Sequence, residues 1–348
     1  MDARSGVGEA RARGRDAPPR RRPESGDSYY GALDLGTNNC RLLIAAPSPA
    51  GFVVTDAFSR IVRLGEGLSG SGFLSEPAMK RTIDALRICA NKLAWHRVGH
   101  RRLVATEACR TAANGEAFIA RVRDEVGLDL EIIGREMEAK LAAVGAEPLL
   151  ERAARDALIF DIGGGSTELM WLEAREGKHE IVAWISLAAG VVTVSERFGG
   201  VDVDRPKYEA MREYLRPMIA AFADRVRSTT SGSSLPAHLL GTSGTVTTIA
   251  GVQLSLRRYD RARVDGCWLA QEDIAKVCSE LLEMSYAERM DNPCIGRDRA
   301  DLVLAGCAIL EEICAAFPAP RIRVADRGLR EGILTLMMKT DGTYGSRP

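Results

Sequence analysis

The sequence predicts an α/β protein built from two similar halves that face each other across a cleft. Three observations lead there. A strand–turn–strand device occurs twice, once near the start of each half. Strands alternate with helical stretches long enough to serve as crossovers. The chain has 348 residues, 46% of them hydrophobic, which is enough for two cores of ordinary size.

The clearer copy of the device is Leu158-Ile-Phe-Asp161-Ile-Gly163-Gly164-Gly165-Ser166-Thr-Glu168-Leu169. An apolar run ends in a carboxylate, three glycines and two hydroxyls follow, and a second carboxylate opens another apolar run. That pattern reads as strand, tight turn, strand. Consecutive glycines let backbone N–H groups converge on an anion without Cβ obstruction. A carboxylate beside such a cradle calls for a divalent cation between the two anions. Alone, the stretch also reads as a glycine hairpin with a capping aspartate. Residues 31–44 sharpen the signal. Set against 158–171, Asp34 falls on Asp161, Gly36 on Gly163, Thr37 on Gly164 and Asn39 on Ser166, and the apolar flanks coincide.

Composition narrows the function classes. Lysine plus arginine equals aspartate plus glutamate, 47 each, so no global field points to nucleic acid or an anionic membrane, and any polyanion site must be a local basic patch. Eight scattered cysteines without a CxxC spacing read as small core residues of a cytoplasmic protein. Four histidines with no HExxH leave no case for zinc. The longest apolar runs are too short to span a bilayer.

In chain order, residues 1–27 are rich in Arg, Gly, Pro and Ser and read as a disordered tail without the apolar segment of a secretory signal. After the first hairpin, Phe52–Val54 is a third strand. Residues 60–68 mix basic residues and glycines, as a loop over a cleft or an ordinary polar loop would. Residues 76–94 carry apolar residues at helical spacing. His96 and His100, among arginines, read as a solvated basic helix end. A strand at 103–106 leads to Arg110, a candidate phosphate clamp, since a guanidinium grips two oxygens at once, or a structural salt-bridge partner. A helix at 115–126 and a strand at 130–133 precede a helix from Gly134-Arg135 to about 152. Its first turn holds Glu136 and Glu138, where carboxylates favour the positive end of the dipole.

The central hairpin opens the second half. A strand at 181–185 and helices at about 189–198 and 205–227 follow. A strand at 237–240 runs into Gly241-Thr242-Ser243-Gly244, a third glycine/hydroxyl turn before a helix, where free N–H groups bind anions. Helices at 271–283 and near 298–316, a strand at 322–324 and a last helix from 327 complete the chain. The division expected is a first domain at 28–153 and a second at 154–326, with the helix 327–340 packing back on the first.

Six segments in order then resemble one family. They are Asp34-Leu-Gly-Thr-Asn-Asn-Cys-Arg41, Ala105-Thr-Glu-Ala-Cys-Arg110, Glu131-Ile-Ile-Gly-Arg-Glu-Met-Glu-Ala-Lys-Leu141, Asp161-Ile-Gly-Gly-Gly-Ser-Thr-Glu168, Gly241-Thr-Ser-Gly-Thr245 and Gly328-Leu-Arg-Glu-Gly332. The chain from about 29 to 335 resembles the exopolyphosphatase / guanosine pentaphosphate phosphatase (Ppx/GppA) family of the actin/sugar-kinase/Hsp70 superfamily. The resemblance implies duplicated actin-like ATPase (ribonuclease H-like) domains with the active site between them. It implies hydrolysis of the terminal phosphate of polyphosphate or pppGpp with Mg²⁺, or Mn²⁺ in its place. Glu138 would activate water with Glu168 assisting, and Asp161 and Asp34 would hold the metal. The turns around Gly36, Thr37 and Asn38, around Gly163, Gly164, Gly165 and Ser166, and at 241–244 would cradle phosphates, with Arg41 and Arg110 as clamps. The first loop has Asn39 where the family commonly has serine, the glutamate helix begins Gly134-Arg135 where Ser-Gly is common, and Lys140 stands where Arg is frequent; these bear on substrate preference. An ATP-dependent kinase on the same fold and a non-catalytic nucleotide sensor are the alternatives. A homodimer is an arrangement the sequence leaves open.

Overall fold

The computed structural model of the protein describes residues 29–151, 153–230 and 235–345. The expected disordered tail at 1–27 lies outside the described residues. Two mixed sheets form the frame. In the first, β1 (Tyr30–Leu35), β2 (Asn39–Ser48) and β3 (Gly51–Ile61) make an antiparallel meander, and β4 (His100–Ala105) and β5 (Glu131–Ile132) add on parallel to β1, giving the order β3-β2-β1-β4-β5. In the second, β6 (Asp156–Ile162), β7 (Thr167–Arg175) and β8 (Lys178–Leu187) repeat the meander. The strands β9 (His238–Thr242) and β11 (Arg321–Ala325) continue it in parallel, and β10 (Trp268–Ala270) closes the edge, giving β10-β11-β9-β6-β7-β8. Apart from β10 the two orders are the same. This is the duplicated actin-like, ribonuclease H-like α/β architecture.

The central strands β1 and β6 are almost continuously apolar and buried, as strands covered on both faces must be. Each half has its own core, formed by the helices Glu76–Trp95 and Gly115–Val126 in the first and Arg205–Thr229 and Val303–Ala316 in the second. Between the sheets lie two crossing helices, Arg135–Ala146 and Leu329–Thr340. The alanines 139, 143 and 146 pack on the second sheet, while Leu141, with Leu329, Ile333, Leu334 and Met338 of the last helix, packs on the first. The helices touch through backbone: a Cβ at Gly145 would lie 1.9 Å from the Gly328 carbonyl oxygen, and one at Gly332 1.9 Å from that of Leu141.

Several expected boundaries shift. The third strand is eleven residues long, so Arg60 and Ile61 belong to it and not to the loop. The glutamate helix ends at Ala146, because Pro148 tightens the chain into a 3₁₀ turn at Glu147–Leu149. The helix expected from about 298 starts at Val303. The two histidines are not a solvated helix end. His96 Nε2 lies 3.0 Å from Asp56, and His100 opens β4 and stacks on Tyr30 at 4.8 Å. No described helix is long and apolar enough to cross a membrane.

Candidate active site

The two hairpin turns meet across the cleft. A Cβ at Gly164 would come within 3.0 Å of Thr37 Cβ, and one at Gly165 within 2.7 Å of Thr37 Oγ1. Only glycine lets the turns approach this closely. The chain between them is fixed by Gly36 N–H donating to the Asn39 carbonyl and Gly163 N–H to that of Ser166, each at 2.9 Å. Among the described residues, the amides of Thr37, Asn38, Gly164 and Gly165 have no backbone or side-chain acceptor. The loop after β3 ties the halves together: Arg63 donates to both carboxylate oxygens of Asp301 at 2.7 and 2.8 Å, and Gly67 N–H to Glu196 at 2.7 Å.

The turns wall a cavity of about 120 Å³. Of the expected site residues, it collects Asp34, Gly36, Thr37, Asn38, Arg41, Glu138, Asp161, Gly163, Gly164, Gly165, Ser166, Glu168, Ser243 and Gly244. A second cavity, of about 500 Å³, continues from it and shares Asp34, Arg41, Asp161, Ser243 and Gly244. Thr242 lines only this second cavity, beside Asp161. Gly241 does not reach either. It lies inside β9, where a Cβ would meet the Phe160 ring at 2.6 Å, so its role there is packing. Ser243 bends the chain between β9 and the helix Gly244–Gln253 with φ 129, a conformation rare for any residue with a side chain, and its Oγ accepts from Val246 N–H.

Asp34 and Asp161 occupy equivalent places, each two residues before its turn and paired across the hairpin with Arg41 and Glu168 respectively. Burial raises the proton affinity of both carboxyls, and Arg41 offsets part of it. Glu168 is buried and pushed well up by burial and by the neighbouring Glu138 and Asp161. Its Oε1 accepts from Ser166 and Ser186, each at 2.7 Å. Glu138 lies in the first turn of the helix Arg135–Ala146. Burial, with Asp34 and Asp161 adding to it, pushes its carboxyl up to about 7 against the pull of Arg110. This poises a carboxylate to accept a proton near neutral pH.

Arg110 is engaged by protein groups. It donates to Glu138 Oε2 at 3.0 Å, to Glu107, and to the Ile133 carbonyl at 2.5 Å. The sequence reading missed three site residues. Ser186 reaches Glu168 only because β8 pairs with β7, a neighbourhood no local pattern announces. Glu107 stood in a quoted motif without a role, and Arg299, lining both cavities, lies in a turn segment outside the quoted motifs.

A duplicated actin-like fold whose cleft sets a near-neutral carboxylate against open glycine-turn amides defines a hydrolase that works on phosphate groups. The comparison with known proteins agrees. The chain belongs to the Ppx/GppA phosphatase family, whose profile matches residues 44–341. Exopolyphosphatase 2 of Mycobacterium tuberculosis is 32% identical over 292 residues, 81% of this chain and 88% of that protein. The structure of an exopolyphosphatase from Cytophaga hutchinsonii is similar with a TM-score of 0.81 at 25% identity, covering 92% of this chain and all of that one (100%). The Ppx/GppA family member of Aquifex aeolicus is similar with a TM-score of 0.74 at 28% identity, covering 90% of this chain and 99% of that one.

Proposed function

We propose that the chain hydrolyses the terminal phosphoanhydride of inorganic polyphosphate by in-line attack of water, with Glu138 as general base. The observation that carries this reading is the Glu138 carboxyl, pushed up to about 7 in the wall of a cavity whose opposite turns present unbonded amides. The relatives named exopolyphosphatase support the choice of substrate. Phosphoryl transfer asks a protein mainly for positioning and charge neutralisation. Glu138 takes the water proton. Glu168, fixed by its two serines, orients the same water. The amides of Thr37, Asn38, Gly164 and Gly165 and the start of the helix Gly244–Gln253 receive phosphate oxygens.

The donor set fits a hard cation. Burial raises the proton affinity of both Asp34 and Asp161, and Asp34 adds to it at Asp161, in a site that offers oxygen donors. Among the described residues no group of three or more His, Cys, Asp or Glu could hold a metal by itself. That suits Mg²⁺, or Mn²⁺, held by one or two carboxylates and completed by substrate phosphate and water. Bound by Asp34 and Asp161, the ion would neutralise charge on the phosphate oxygens.

The remainder of the polyphosphate runs into the wider cavity. Of the arginines around the cleft, Arg63 is held by Asp301, Arg135 by Glu107 and Arg327 by Asp265. Arg41 and Arg330 line that cavity and have no acceptor among the described residues; Arg299, bonded only to Thr248, completes the set. A second substrate, pppGpp, is favoured by a different feature: Val191, Leu302 and Val303 give the narrower cavity an apolar corner suited to a base. Steady-state kinetics on both substrates at low and physiological salt decide between them. The KM for polyphosphate should rise more steeply with salt, as for other linear polyanions. Faster turnover of pppGpp at every salt concentration would reverse the preference. Phosphate release without any acceptor separates hydrolysis from kinase activity, and tight nucleotide binding without release would favour a sensor.

A further inference from the structure

Behind Glu138 stands a second carboxylate, Glu107, buried at the start of the short helix that follows β4. Its Oε1 accepts from Arg135 at 2.7 Å, and its Oε2 from Arg135 Nε and Arg110 Nε, each at 3.2 Å, and from a second Arg110 nitrogen. Arg110 then reaches Glu138 Oε2 with the same terminal nitrogen and ties the Ile133 carbonyl, next to the residue that caps the Glu138 helix. Arg135 is the first residue of that helix, so the chain of contacts closes into a ring: Arg135, Glu107, Arg110, Glu138. Glu107 also packs against the glycine turn, since a Cβ at Gly165 would lie 3.0 Å from its Cγ.

We propose that Glu107 is a positioning residue for hydrolysis: it anchors Arg110 so that Arg110 fixes one oxygen of Glu138 and leaves the other to water, and it shares the charge of Arg110 so that Glu138 stays basic. This rests on the reading of Glu138 as general base. The ring carries two arginines against Glu107, leaving one positive charge to face Glu138 from one side. Asp34, Asp161 and Glu168, which line the same cavity as Glu138, add negative charge around it. Glu138 therefore sits on a charge boundary, and Glu107 sets how much of Arg110 it feels. A surface ion pair would not do this, but all three partners Glu107, Arg110 and Glu138 are largely shielded from water, where charge–charge coupling is strong.

The test is the pH profile of kcat/KM together with kcat and KM on polyphosphate. Glu107→Gln removes the competing charge, so the acid limb should move to lower pH by on the order of one unit. Its loosened anchor should also lower kcat roughly tenfold or more, with KM little changed. Arg110→Met removes the cation itself and should move the acid limb the other way, to higher pH. If Glu107→Gln does not accumulate as folded protein, Arg135→Gln, at a half-exposed position, tests the same ring and should also move the limb upward. A Glu107→Gln enzyme with an unmoved limb and unchanged kcat overturns the proposal. So does lowered melting temperature as its only effect, which marks a structural ion pair. Glu138→Gln serves as the control: if it keeps near-normal turnover, the general-base reading fails and with it the premise, whereas an inactive Glu138→Gln beside an unaffected Glu107→Gln defeats the positioning role alone.

Discussion

Glu138 serves turnover at a cost to the fold. An ordinary glutamate titrates near 4.5, and this one is pushed up to about 7, mainly by burial. Between those values the unfolded chain ionises the group while the folded chain keeps it protonated. Its contribution to stability is therefore fully present below the unfolded value and is lost as pH rises through about 7. The gap corresponds to roughly 3 kcal/mol. Glu138→Gln should accordingly raise the melting temperature, most clearly above pH 7, while turnover falls roughly 10²–10⁴-fold, the usual worth of a general base. Retained turnover, or a variant less stable than the parent at pH 8, would contradict the assignment. The same group predicts the pH dependence of the parent enzyme. Only the ionised carboxylate accepts a proton, so kcat/KM should fall about tenfold per pH unit below about 7 and level off above it. A profile flat down to pH 5 would place the base elsewhere. At this scale the sequence was informative where a residue's surroundings are local. Asp34, Asp161 and the glycines declare themselves by the turns they flank. The fate of Arg110 does not, because its partners Glu138 and the Ile133 carbonyl come from a segment more than twenty residues away.

The helices Arg135–Ala146 and Leu329–Thr340 cross so closely that Gly145 and Gly332 have no room for a side chain. Helix propensity alone would make alanine at either place stabilising by about 1 kcal/mol. Here the added methyl meets a backbone carbonyl that cannot swing away, so Gly145→Ala and Gly332→Ala should each destabilise by about 1–3 kcal/mol, read as a lowered melting temperature. A neutral or raised melting temperature would mean that the crossing is looser than described. The crossing also explains why the segment Gly328-Leu-Arg-Glu-Gly332 carries its second glycine inside a helix. The hairpins β1–β2 and β6–β7 were legible because turn and strands are contiguous in sequence, Tyr30 to Ser48 and Asp156 to Arg175, and their registers repeat, Asp34 opposite Arg41 and Asp161 opposite Glu168. The three-residue β10 was not, since its pairing with β11 is made fifty residues away and its own sequence carries no alternation.

Across the whole molecule, the duplicated sheets bring two glycine turns, each led by an aspartate, to one cleft, and the Arg63–Asp301 pair fastens the halves over it. The two-half organisation was readable because the device is repeated within one chain. The cation arrangement was not: which arginines stay open to substrate depends on which acids reach them in the folded state, and Arg63, Arg135 and Arg327 are taken while Arg41 and Arg330 are left. The concentration of carboxylates at the cleft predicts that activity is lost on chelation with EDTA and restored by Mg²⁺ or Mn²⁺. Full activity in chelator, with residual metal measured and absent, would remove Asp34 and Asp161 from that role.

The most direct measurement is hydrolysis of long-chain polyphosphate by the purified protein in ¹⁸O-labelled water with Mg²⁺ and no acceptor. Attack of a water activated by Glu138 predicts steady release of orthophosphate carrying one labelled oxygen for each anhydride cleaved, and near-silence from Glu138→Gln. Absence of release until a phosphoryl acceptor is added, or label entering at the same rate with Glu138→Gln, would contradict it.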